Sequence, residues 1–175
     1  MRQKAETVAL CGLLAALALV FSMLEGMLPP VPGMPPGAKL GLSNIVTMYA
    51  AGSLGLPSAL FLALVKGGFA LATRGGLAGV MSLSGGVVST VCAWALLRKT
   101  RVGLAVVGVC GALAHNGAQL AAAWIIAQAG VMAYLPLMIL FGVATGFLTG
   151  AVLKATLPPL EKLSAFLKGR GSGKL

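Results

Sequence analysis

The chain has 175 residues, of which 58% are hydrophobic and 9% charged, with 13 Lys and Arg against three acidic residues and a formal net charge of +10. A soluble domain carries about 25% charged residues, so a water-soluble globule is excluded and most of the surface must face lipid or other membrane helices. Lys and Arg gather at the cytoplasmic side of membrane proteins and contact anionic lipid heads, so the basic excess is read as membrane topology and not as nucleic-acid binding.

A helical span needs roughly 20 residues, and the length accommodates up to six. The expected fold class is an all-α integral membrane protein with about six transmembrane helices. Residues 1–157 form a single helical domain and 158–175 a basic cytoplasmic tail. Helix 1 is expected from about Ala5 to Met27. Arg2, Lys4 and the Ala16-Leu17-Ala18 triplet imitate a signal peptide, but the apolar run from Val8 to Leu24 is long for one, and it reads as an uncleaved first span. Small residues recur at four-residue spacing (Ala5/Ala9, Gly12/Ala16, Ala18/Ser22), a pattern that lets helices approach closely, within the bundle or in docking on another membrane subunit. Glu25, one of three glutamates, lies near its far end.

Leu28–Asn44 (LPPVPGMPPGAKLGLSN) breaks this regularity with five of the nine prolines. Such a run cannot make regular backbone hydrogen bonds. Ser43 or Asn44 is placed to cap the next helix. That helix, Asn44 to Ser53, rises only about 15 Å, roughly half of a bilayer core. A short segment beside a broken backbone is a pointer to a transporter binding site. Helix 3 follows Gly55-Leu56-Pro57 and runs to about Thr73, with Lys66 inside it and Arg74 at its end. Helix 4 is expected from about Ala78 to Leu97, its Gly85-Gly86 pair marking a kink or a close-packing point. Helix 5, about Val102 to Gln128, carries His115, Asn116 and Gln119. Helix 6 starts near Tyr134 and ends near Lys154, with a Gly142/Gly146/Gly150 packing face and Pro158-Pro159 beyond it.

The basic residues set the orientation. With the N-terminus inside, Arg2, Lys4, Arg98, Lys99, Arg101 and the tail share one side, against Lys39 and Arg74 on the other, so both termini are cytoplasmic. Ionisable and polar groups at membrane depth are costly and point to function. His115 and Gln119 share a helix face, and Asn116 borders it; the two readings are ligand contact and interhelical hydrogen bonding. Lys66 pairs with Glu25, holds a ligand, or snorkels. A helix N-terminus with Lys and Arg nearby favours an anion. The candidate ligand-binding residues are therefore Glu25, Lys39, Ser43, Asn44, Lys66, Arg74, His115, Asn116 and Gln119, with the Pro/Gly stretch as a lid on the outer side. One histidine and no aspartate leave neither a Ser-His-Asp arrangement nor a carboxylate metal site. No Walker A sequence is present, and Cys11, Cys92 and Cys110 form no disulfide or zinc pattern. No catalytic residue, metal or cofactor is expected.

Four segments, PPVPGMPPGAKLGLSNIVTMYA (Pro29–Ala50), SLSGGVVS (Ser82–Ser89), GALAHNGAQLAAA (Gly111–Ala123) and YLPLMILFGVATGFLTG (Tyr134–Gly150), resemble a bacterial membrane family known as the Gx transporter family or heptaprenyl diphosphate synthase component I. PGAKLGLSN and AHNxxQL are its specific parts. Prenyl chain elongation by isoprenyl synthases uses aspartate-rich motifs that this chain lacks, so the resemblance implies an accessory role and not a catalytic synthase. The helix pattern is also similar to the substrate-binding (S) subunits of energy-coupling-factor transporters. That similarity implies an S-component-like bundle in the bacterial cytoplasmic membrane, a small-molecule ligand, and docking through helix 1 on a separate transmembrane-plus-ATPase module. The resemblance to the component I family implies the alternative, an accessory subunit in isoprenoid or quinone metabolism, or in flavin-linked extracellular electron transfer, with a lipid-like ligand.

Overall fold

The computed structural model describes residues 2–27, 41–127 and 130–170. It is all-helical: α1 (Arg2–Met27), α2 (Asn44–Ser53), α3 (Leu56–Arg74), α4 (Gly76–Lys99), α5 (Leu104–Ala127), a 3-10 turn (Val131–Tyr134) and α6 (Leu135–Arg170). Five of these helices are long and apolar enough to cross a membrane. Their outward faces are apolar: Val8, Leu13, Phe61, Leu64, Ile125, Leu140 and Phe147 are all exposed. In water that surface would be untenable; against lipid tails it is neutral. The chain is a multi-pass membrane protein.

The helices α3, α4, α5 and α6 pack side by side in chain order, and α2 is inserted among α1, α3, α4 and α6. Seven of its ten residues are buried, from Asn44 to Ala51. So the sixth helical element is a half-length plug inside the bundle rather than a span. Gly55 joins it to α3 with φ near +90°, a conformation that favours glycine, and Pro57 sits in the first turn of α3 as expected. The core under the plug is Val46, Met48, Ala50, Ala51, Ala59, Leu62, Ala93, Val107 and Leu153, closed on one side by Leu14 and Ala18 of α1.

Two glycine patterns hold the bundle together. A Cβ on Gly146 would lie 2.5 Å from the Val109 Cα, and one on Gly150 would lie 2.5 Å from the Ala105 Cα. The α5 and α6 backbones are thus in direct contact, as the Gly142/Gly146/Gly150 series predicts. The Gly85-Gly86 pair is a close-packing point inside a continuous α4, and not a break. Of the small residues at four-residue spacing on α1, only Ala18 and Ser22 pack inward, while Ala5, Ala9, Gly12 and Ala16 face outward. Helix α6 differs from expectation. It does not stop near Lys154 but continues through Pro158-Pro159 to Arg170. Two prolines remove two i→i−4 bonds, yet their fixed φ is itself helical, so the coil resumes beyond them.

Gly146→Val should lower the thermal unfolding stability of the detergent-solubilised protein by about 1–3 kcal/mol, because backbone atoms cannot move aside for the new side chain. Gly12→Ala, where no atom lies within 4 Å of the new Cβ, should be neutral to within about 0.5 kcal/mol. Equal stability of the two variants would contradict the assigned α5–α6 contact.

Candidate functional site

The site forms where the last turn of α1 meets the start of α2. The turn 41–43 begins at Gly41, with φ +85°, and any Cβ there would lie 2.8 Å from the Asn44 Nδ2. Glycine is needed for both reasons. The turn closes through Asn44 N–H to the Gly41 carbonyl (2.9 Å) and Ile45 N–H to the Leu42 carbonyl (3.1 Å). Neither Ser43 nor Asn44 caps α2 as the sequence predicts; Ser43 is itself in the helical region and makes no cap bond. Both side chains serve charged groups instead. The Ser43 hydroxyl donates to Glu25 Oε2 (3.1 Å), and the Leu42 N–H donates to Glu25 Oε1 (2.5 Å). The Asn44 Oδ1 accepts from the Lys66 ammonium.

Lys66 comes from the middle of α3 and is only 2% exposed. It does not snorkel: its head group stays inside the bundle, over Gly86 of α4. Arg74, at the end of α3, is half-buried and feels the charge of Glu25. From α5, His115 and Gln119 share one face and bond to each other, with the Gln119 amide nitrogen 2.7 Å from His115 Nε2. The histidine ring lies against Gly85, where a Cβ would come within 2.6 Å of Nδ1. The two consecutive glycines of α4 thus admit His115 on one face and Lys66 on the next.

These groups enclose one cavity, lined by Glu25, Gly41, Ser43, Lys66, Arg74, Ser82, His115 and Gln119. It offers the centre of a water-sized sphere only about 10 Å³, room for about one water molecule. Of the predicted residues, Glu25, Ser43, Lys66, Arg74, His115 and Gln119 line it, and Asn44 borders it through Lys66. Asn116 does not. Its Nδ2 donates 2.7 Å to the Met138 carbonyl of α6, a bond between helices. Lys39 and the Pro/Gly lid up to residue 40 lie outside the described residues. Gly41, Gly85 and Ser82 were not among the sequence candidates. Gly85 carried a signal as a close-packing glycine, Gly41 as part of the PGAKLGLSN segment, and Ser82 only as the first residue of the SLSGGVVS segment.

Among the described residues, five buried side-chain atoms have no hydrogen-bond partner in the protein: His115 Nδ1, Gln119 Oε1 and Arg74 Nη2 on residues that line the cavity, and Asn116 Oδ1 and Thr90 Oγ1 on residues that do not. An unmet buried polar atom costs about 1–3 kcal/mol. Three of them belong to the wall of one cavity, beside a buried ammonium. No group of three or more His, Cys, Asp or Glu side chains able to hold a metal occurs among the described residues. Asn116→Ala should cost about 1 kcal/mol of unfolding stability through the lost bond to Met138, read by thermal denaturation in detergent; an unchanged midpoint would show that this bond does not hold α5 to α6.

Comparison with known proteins bears on the same region. No curated protein and no solved structure matched the chain. A family model described as heptaprenyl diphosphate synthase component I matches residues 14–156, which include every described residue of the cavity. That description denotes one component of a synthase. A match over this much of the chain, on a bundle built from membrane-length helices, shows that the protein belongs to the heptaprenyl diphosphate synthase component I family.

Proposed function

We propose that the chain is the ligand-binding subunit of a membrane transport system, similar to an energy-coupling-factor S component, and that it takes a small anionic molecule from the outer face of the bacterial cytoplasmic membrane. One observation carries this reading. Four helices and the turn before α2 place Lys66, Arg74 and the partnerless atoms of His115 and Gln119 around one cavity. Polar groups this deep in a bilayer are expensive and mark a ligand or ion path. With one carboxylate against two basic side chains, the cavity favours an anion.

Other features support the arrangement. By the positive-inside rule, Arg98, Lys99 and Arg101 lie on the cytoplasmic side. Arg74, at the opposite end of the α3–α4 pair and in the cavity wall, then lies toward the outer side. The outward-facing Ala5, Ala9, Gly12 and Ala16 of α1 offer a close-approach surface for a transmembrane-plus-ATPase partner. The cavity is too small for a vitamin, because ligand pockets run to about 300–1,000 Å³. Binding therefore requires opening, and the structure corresponds to a closed form.

A second reading, an accessory membrane subunit in isoprenoid or quinone metabolism, is favoured by the family description, since a component implies another component. Mass spectrometry of molecules extracted from the purified protein separates the two. A water-soluble anion supports the transport subunit; a prenyl phosphate or a quinone supports the accessory role. For whichever ligand is found, Lys39→Met, Asn44→Ala and His115→Ala should each weaken binding by about tenfold or more, while Asn116→Ala binds as wild type. Unchanged affinity in the first three variants would remove the site assignment.

A further inference from the structure

We infer that the Glu25 carboxylate occupies the seat of the ligand's own carboxylate, and that binding exchanges one for the other. This rests on the site reading above and names the chemical class of ligand: a small-molecule carboxylate.

The argument begins with what the turn 41–43 presents. A free helix start beside basic residues attracts an anion. Here that place is already filled, and by a carboxylate. The Leu42 N–H and the Ser43 hydroxyl each donate to a separate oxygen of Glu25, at 2.5 and 3.1 Å. Two donors spaced for the two oxygens of a planar group match a carboxylate. Arg74, the nearby cation, feels Glu25 yet keeps a buried Nη2 without a protein partner. The chain therefore carries an internal model of the group that the site recognises.

Space gives the second line. The cavity admits about one water, so any larger guest must displace part of the wall. Ser43 is buried in the turn before the plug, Asn44 belongs to the plug, Lys66 to the middle of α3, and His115 and Gln119 are wedged against α4. Each of these is fixed by packing. Glu25 is attached differently. It stands in the last turn of α1, where Met23, Leu24, Gly26 and Met27 are exposed. Helix α1 packs mainly on α2 and α3. Glu25, held by two hydrogen bonds on a helix with little of its span buried, is thus the wall residue whose chemistry an incoming carboxylate duplicates. Exchange leaves the donors of the turn satisfied throughout. The displaced Glu25 leaves with the end of α1, and room for the body of the ligand opens beside His115 and Gln119. Their free Nδ1 and Oε1 then meet its remaining polar atoms.

Benzoate serves as the probe, titrated into detergent-solubilised protein with affinity read by calorimetry. Wild type should bind weakly. Glu25→Ala, which vacates the seat, should bind about tenfold more tightly. Glu25→Gln removes the charge but keeps an acceptor on the Leu42 N–H, so it should gain much less. If Ala and Gln gain equally, the effect is charge alone and exchange is wrong, while the site stands. If wild type binds benzoate and neither variant gains, exchange is likewise wrong. If no variant binds benzoate, the carboxylate assignment fails, while the site reading is decided separately by the ligand extracted from the purified protein. A readout with Glu25 intact guards against a misfolded Ala variant. In a cysteine-free background, Gly26→Cys and Leu42→Cys should cross-link with a short bifunctional reagent, and saturating benzoate should reduce the yield several-fold. A yield indifferent to benzoate in a protein that binds it would overturn the exchange.

Discussion

The structure depends on one requirement: inside a bilayer, backbone polar groups must find partners within the protein, and a buried side chain left without one is costly. An apolar bundle meets it trivially along regular helices. This chain interrupts the regularity at turn 41–43 and then satisfies it with the carboxylate of Glu25, which reaches across from α1. The same requirement explains why Asn44 faces Lys66 instead of capping its own helix. A buried ammonium without a partner costs more than an uncapped helix end, so the amide goes where the penalty is larger. The start of α2, the end of α1 and the middle of α3 become one polar unit.

That unit is possible only because the surrounding helices come unusually close. Between α5 and α6, glycines put backbone against backbone. Packing of this kind gives lipid-embedded helices adhesion that the hydrophobic effect does not supply. It also makes those helices a stiff frame. The plug α2 is held by its apolar residues Val46, Met48, Ala50 and Ala51 among the frame helices. The weakly enclosed element is α1, with a small share of its span buried. Rigidity and freedom are thus distributed along the chain, with the site at their boundary.

Much of this was legible in the sequence. Long apolar runs gave the five spanning helices, because hydropathy and length alone decide what can cross a bilayer. The short α2 followed from the spacing between the Pro/Gly run and Gly55. Depth arguments brought Lys66, His115 and Gln119 to one level, and the structure puts them around one cavity. What remained hidden was direction. Asn116 follows His115 by one residue, which rotates it about 100° around the helix, enough to turn it from the cavity to α6. Pairing of Glu25 with turn 41–43 needs tertiary contact between residues far apart in sequence, and no local pattern encodes it. The continuation of α6 through two prolines was illegible because their missing donors are a local signal for a stop, and the sequence signal weighs only that.

The two glycines of α4 have a further consequence. Successive helix positions point about 100° apart, so Gly85 and Gly86 present bare backbone to two different neighbours, the imidazole of His115 and the ammonium of Lys66. One turn of main chain is therefore the common gauge block against which both side chains are set. Their separation is fixed by the covalent geometry of a helix and not by the adjustable packing of side chains. A chain that changed its ligand by drift could reshape residues around the cavity one at a time, but it could not respace these two without rebuilding the turn between them.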